Sequence, residues 1–384
     1  MIGGLMKNLR VIEVGASYSV GYCGRLLQAL GAEVVSVEPP WGLALRQAEP
    51  TFADSDGNER SAAFSYLAAG KKSVAIDLSS KDGALMLEDL ISNDAIVLLE
   101  GGQEALGSSG LTNQGLRSKF PGLIVGSITR FGEDGPYSKY RGGDFQAQAL
   151  GGLMHMVGHK TREPLRLGGH QAMYDAALCM LVGVAAALYR RQKNGQGAEL
   201  STSLLEAVAY IEWKSYSQFQ HDGTRMSRGG SAGPFILRCK DGHSAFYYRD
   251  RNWPIVREMF PDERLADPKF ETQKGRDANR QELQAILNEH TRDRSKQDIY
   301  KEAQARGMPV GYAATMEDLL ASEHYRSREF IAPIFDADST TAGMAPGAPW
   351  TVNGQRPAPG ATVPNIGQHT DMLSPTTSGP AANG

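Results

Sequence analysis

The stretch GGHQAMYDAALC, Gly168 to Cys179, sets one acid, Asp175, in an apolar segment behind a glycine pair. A carboxylate there could serve as nucleophile or base. The plainer reading is a first-turn acid favoured by the positive end of a helix dipole. His155 and His159 have the i,i+4 spacing that puts two metal ligands on one helix face. Gly158 works against a regular helix there, and Met156 stands where an HExxH zinc site needs its Glu, so these histidines read as loop or core residues and no metal is expected. AAGKKS (68–73) fails as a phosphate-binding loop, because Ser65 replaces the first glycine and Lys72 the Ser or Thr after the lysine. VGASYSVG stands where a GxGxxG would follow the first strand, which argues against a nicotinamide or flavin cofactor.

The elements that must position these groups read as α/β. LRVIEVG (9–15), AEVVSVEPP (32–40) and KSVAIDL (72–78) are strands, with a helix over GYCGRLLQALG (21–31). Segments 81–102 and 116–132 each read as a helix followed by a strand. β-branched runs alternating with helices predict a parallel sheet covered by helices, with ligands beyond the carboxyl ends of its strands. ALCMLVGVAAALYRR (177–191) falls short of a membrane span and reads as a buried core helix. A long amphipathic helix over 200–228 reads as a connector, GPFILRCKDGHSAFYYRD (233–250) as a hairpin turning at Asp-Gly, and the Pro- and Gly-rich last 50 residues as a surface wrap.

Composition bounds the function. The 384 residues are 41% hydrophobic and 22% charged, and allow a large core in two domains. A net charge of -3 gives no bulk attraction to nucleic acid. Cys23, Cys179 and Cys239 are too few and too scattered for a disulfide framework or a zinc site, in keeping with a reducing, cytoplasmic setting.

Several ordered segments resemble the family III CoA-transferases, the group of formyl-CoA transferase, carnitine CoA-transferase and α-methylacyl-CoA racemase. They are LRVIEVGASYSVGYCGRLLQALGAEVVSVEPPWG, GKKSVAIDLSSKDG, ITRFGEDGPYSKYRGGDFQAQALGGLM and LYRRQKNGQGAELSTSLLEA, followed by CKDGHSAF, LADPKF, RGMPVGYAATMEDLL and IGQHTD. The resemblance implies a large CoA-binding domain with a Rossmann-like parallel sheet (1–205 and 319–384), a connector helix (206–228) and a smaller α+β domain (229–318). It also implies two chains interlocked as a dimer. Coenzyme A or an acyl-CoA would be the substrate, with no tightly held cofactor. Its phosphates and adenine would fall to Ser17, Tyr18, Ser19, Lys71 and Arg141, with Arg46 and Lys72 as further candidates.

In this family one aspartate attacks the thioester, and a glycine loop matching Gly229 and Gly230 supplies donors to the oxyanion. That aspartate stands ten places before a helix glycine matching Gly183, which makes Met173 its counterpart. A thioether cannot form an anhydride. The racemase branch also needs a histidine where Gly143 stands. Asp144 reads as structural. Asp175, two residues on, faces about 200° away in a regular helix, so it could substitute only through a register shift or a non-helical first turn. Three readings stay open. The chain is the non-catalytic subunit of a heteromer with a homologous CoA-transferase subunit, an active homodimer using Asp175, or a CoA-thioester-binding regulatory protein. None involves a membrane.

Overall fold

The computed structural model describes residues 4–54, 57–159, 161–226, 228, 235–247, 249–337, 341–357 and 361–373. They fall into two compact units. The first spans Met1–Val157, Pro164–Arg225 and His324–Gly384, and the second Gly158–Glu163 and Met226–Glu323.

The first unit is built on β1 (Arg10–Val14), β2 (Glu33–Glu38), β5 (Lys72–Ala75), β6 (Ile96–Glu100), β7 (Ile124–Thr129) and β8 (Ala198–Ser203), with a small separate hairpin of β3 (Thr51–Ala53) and β4 (Glu59–Ser61). All pairings among the six sheet strands are parallel, in the order β5-β2-β1-β6-β7-β8. Counting sheet strands alone this is 3-2-1-4-5-6, the order of a doubly wound dinucleotide fold, and it reverses between β1 and β6. Such sheets are buried on both faces, so their strands run nearly continuously apolar. The period of two then divides the layers. Val11, Ile96, Leu98 and Ile124 pack to one side, and Ile12, Val14, Val97 and Val125 to the other.

The first side is covered by α1 (Tyr18–Ala29), α7 (Gln171–Asn194) and α8 (Leu204–Ile211); α3 (Lys81–Leu90) and α4 (Asn113–Lys119) cover the second. Ala147 of α5 (Asp144–Leu150) and Leu153 of α6 (Leu153–Met156) join the first side, and α2 (Ala62–Ala68) packs in a smaller cluster. Among the described residues α7 is the one helix long and apolar enough to cross a membrane. Ala172, Ala176, Ala177, Met180, Val184 and Ala187 bury one face of it against the sheet, while Leu178, Val182 and Tyr189 stay exposed. The expected core helix is therefore buried on one face only.

The expected single connector helix breaks at Glu212 into α8 and α9 (Trp213–Asp222), and residues to Arg225 belong to the first unit. The reason is packing: Leu204, Ala207 and Val208 join the main core, whereas α9 buries no residue. The C-terminal chain lies along the edge of the sheet at β5. His369 N–H donates to the Ser73 carbonyl at 2.9 Å, and Thr370 Oγ1 accepts from Ala75 N–H at 3.1 Å. It thereby covers backbone groups that an edge strand would leave open.

The second unit carries the antiparallel β9 (Phe235–Cys239), β10 (Gly242–Phe246) and β11 (Val310–Tyr312), ordered β11-β10-β9. The hairpin turns at Lys240 and Asp241 as its Asp-Gly signal predicts. Phe235, Leu237 and Cys239 alternate inward onto helices between 253 and 305.

Candidate active site

Two helix starts meet beyond the carboxyl ends of the strands. Gly15, at φ +68°, turns the chain out of β1, and α1 begins at Tyr18. Its N-cap, Ser17, makes no side-chain capping bond. Glu100, the last residue of β6, does that work. Its carboxylate accepts from Ser19 Oγ at 2.8 Å and from the Val20 N–H at 3.2 Å. Burial raises the Glu100 carboxyl above the ordinary range, and the Ser19 hydrogen bond opposes that rise.

Beneath α1, Lys71 Nζ meets Glu13 Oε1 at 2.6 Å and donates to the Gly21 carbonyl at 2.8 Å. The two residues are 4% and 1% exposed. Burial raises the Glu13 carboxyl and lowers the Lys71 ammonium, and the ion pair works against both shifts. Gly24 makes the arrangement fit, since a Cβ there would collide with the Glu13 carboxylate. This is the physical reason for a glycine in mid-helix, where it otherwise costs about 1 kcal/mol.

The start of α7 follows the same plan. His170 is its N-cap and makes no side-chain capping bond. Asp144 of α5 supplies the acceptor instead: Ala172 N–H donates to its Oδ1 at 2.8 Å, and Gln148 Nε2 to its Oδ2 at 2.6 Å. Gln148 Oε1 in turn accepts from Leu167 N–H at 2.9 Å. One turn of α5 thus holds both the helix start and the loop leading into it. The Tyr18 ring stacks on His170 with centroids 3.6 Å apart, and Tyr22 meets Tyr174 at 4.9 Å, so the starts of α1 and α7 touch. Burial lowers the His170 pKa, while Asp144 raises it.

Met173 is the third residue of α7, half-buried, and packs against the main core. Asp175 is the fifth, so it lies in the second turn rather than the first. Its carboxyl is raised by burial and then by the nearby Asp144. The helix is regular from Gln171, so the local distortion that would swing Asp175 toward the position of Met173 is not present.

Ser17, Tyr18 and Ser19 stand at the α1 start as expected. The basic candidates do not converge there. Lys71, expected as a phosphate donor, faces inward and is committed to Glu13. Arg46 donates to Glu38 from Nε (2.7 Å) and Nη2 (2.6 Å), and from Nη1 to the Pro364 carbonyl (3.2 Å). It lies over the Phe64 ring and lines a cavity of about 460 Å³ with Phe52, Arg60 and Ile366. Lys72 makes a surface pair with Glu33 at 3.0 Å. Arg141 is exposed in the loop before α5. Gly229 and Gly230 lie outside the described residues. A second cleft, of about 840 Å³, runs between α4 and the loops after β6 and β7, lined by Asn113, Arg117, Arg130, Glu133 and Glu199. The sequence reading missed Glu100 and Glu13. The signals available for them were a carboxylate closing a β-branched run and a glycine inside α1.

The family model of CoA-transferase family III matches residues 6–370. The chain belongs to that family. It is 29% identical to the succinyl-CoA:(R)-benzylsuccinate CoA-transferase subunit BbsE of Thauera aromatica, over 91% of this chain and 88% of that protein. It is 27% identical to the succinyl-CoA–D-citramalate CoA-transferase of Chloroflexus aurantiacus, over 97% and 94%. A CaiB/BaiF family protein from Brucella suis shares its fold at a TM-score of 0.88 and 25% identity, covering 97% of this chain and 98% of that one.

Proposed function

We propose that this chain is a subunit of a cytoplasmic CoA-transferase that moves CoA from an acyl-CoA such as succinyl-CoA to an organic acid such as benzylsuccinate. In this reading it is the non-catalytic member of a heteromer. The observation that carries the proposal is Met173, third in α7 within an intact and capped helix start. A carboxylate at that position would attack the thioester carbonyl, break the C–S bond and form a mixed anhydride as CoA thiolate leaves. The thiolate would then attack the enzyme-side carbonyl and release the first acid. The acceptor acid would run the sequence in reverse. Methionine sulfur forms no such anhydride, so in this reading another chain supplies the carboxylate.

Two further findings support this reading. Succinyl-CoA-dependent relatives favour a succinyl donor, and one of them carries the name of a subunit. The exposed Val182 of α7, Tyr210 of α8, and Trp213 and Tyr216 of α9 offer the apolar surface that an interlocked partner would cover. Asp175 as nucleophile is the second reading, favoured by its place two residues after Met173 on the same helix. The regular first turn of α7 weighs against it.

The test is CoA exchange between succinyl-CoA and candidate acids, assayed on the lone chain, on the chain with its homologous partner, and on Met173→Asp. The proposal expects a silent lone chain, activity with the partner, and exchange gained by Met173→Asp. Turnover by the unmodified lone chain would overturn it.

A further inference from the structure

The cleft of about 840 Å³ beyond β6 and β7 lies on the α4 side of the sheet, opposite the face that α7 covers with its Met173 turn. Its volume is that of a small-molecule pocket. Two residues of α4 that are neighbours on one helix face, Asn113 and Arg117, line it. Asn113 is only 6% exposed. Its backbone N–H donates to Gln103 Oε1 at 2.9 Å, and its Nδ2 donates to Glu199 Oε1 at 3.1 Å. A carboxylate accepts, so the amide must turn its NH2 end to Glu199. Its Oδ1 is then a buried acceptor with no partner among the described residues. Arg117 donates from Nη1 to Glu199 Oε2 at 3.3 Å, and its buried Nε likewise has no partner among them. Native interiors seldom leave such groups unmet. One wall of this cleft therefore offers an unmet acceptor at Asn113 and an unmet donor at Arg117.

We propose that this cleft binds a free amino acid, with its ammonium on Asn113 Oδ1 and its carboxylate on Arg117 Nε. A ligand that satisfies both atoms carries a donor and an anionic acceptor close together, as an amino acid zwitterion does. The rest of the lining selects among such ligands. Glu199 is already shared by Asn113 and Arg117, which leaves two acids, Glu104 and Glu133, against one cation, Arg130. That balance repels phosphates and dicarboxylates and attracts an ammonium. A hydroxyl could donate to the same acceptor, but it gains nothing from those acids. Gln114, Ser118 and Ser138 line the remainder and suit a polar side chain. No residue of α1 or α7 takes part, so this site does not rest on the proposed function.

Titration calorimetry of the full chain with each of the common L-amino acids tests the proposal. At least one should bind with a Kd of about 1 mM or tighter. Its 2-hydroxy acid analogue, in which a hydroxyl replaces the ammonium, should bind about tenfold more weakly. Asn113→Leu should weaken the amino acid about tenfold, because the acceptor for its ammonium is gone. Should that variant fail to fold, Arg130→Ala removes an exposed cation from the lining; a loss of about threefold is then expected. The proposal is overturned if no amino acid binds, if the hydroxy analogue binds equally well, or if the folded variant keeps full affinity. Displacement of the bound amino acid by CoA would also overturn it, by making the cleft part of a thioester site.

Discussion

The starts of α1 and α7 solve one problem in two ways. Neither helix has a capping side chain of its own, and each borrows a carboxylate from elsewhere: Glu100 from a neighbouring strand for α1, Asp144 from a neighbouring helix for α7. The first carboxylate sits above a buried ion pair, Glu13 with Lys71, and is fixed by the sheet. The second belongs to a local clamp in which Gln148 also holds Leu167, and Arg166 stands 4.0 Å away. The sheet-anchored start is part of the core. The clamped start orients a single turn, the one carrying position 173. That turn keeps its support although Met173 brings no carboxylate to it.

The largest expected effect lies under α1. Lys71→Met leaves Glu13 buried and unpaired, and should cost about 3–5 kcal/mol in urea denaturation. A small loss together with weakened CoA binding would instead return Lys71 to the phosphate-binding role.

Removing each cap tests the comparison directly. Asp144→Ala strands the Ala172 N–H and the Gln148 amide, and should cost about 1–3 kcal/mol. Its amide exchange should quicken at residues 172–174 and stay unchanged in α1. Glu100→Ala should quicken exchange at Val20 and leave α7 unchanged. If either variant loosens both helices, the two starts form one cooperative unit and the contrast drawn here fails.

A pH effect of smaller size separates the borrowed carboxylates further. Burial raises the Glu100 carboxyl in the folded chain, so the fold binds that proton more tightly than the unfolded chain does. Its contribution to stability then falls as pH rises from the ordinary glutamate range through the raised folded value. Glu100→Gln should flatten that falling arm of the stability profile, above the ordinary glutamate range, measured by thermal unfolding. An arm as steep as that of the unmodified protein would assign the proton to Glu13 or Asp175, whose carboxyls are raised as well.

The smallest effect is expected at Arg141, exposed before α5. Arg141→Ala should change stability by less than about 0.5 kcal/mol. If it meets a CoA phosphate, its CoA affinity should fall by about 1–3 kcal/mol in calorimetry, and unchanged affinity would remove it from the site.

The sequence by itself determined what local order encodes. Strand periods of two, helix periods near 3.6 and the Asp-Gly turn placed five of the six parallel strands, helices between them and the hairpin of the small sheet; they missed β11 and β8, whose residues 200–203 read as the start of the connector helix. Met173 is singled out only through the resemblance to the family, by a count of ten residues back from Gly183. Helix α9 shows where this ends: its pattern continues that of α8, but the break at Glu212 depends on what each half packs against. Lys71 shows the same limit for the site. A lysine before a strand reads as a surface donor until the opposing Glu13 and the gap at Gly24 are known. The tertiary structure alone decided the carboxylate partners. Glu100 and Ser19 lie 81 residues apart, and Asp144 and Ala172 lie 28 apart. Hydrogen bonds and ion pairs act over about 3 Å, so which charge meets which donor is fixed only when the sheet closes and the helices dock.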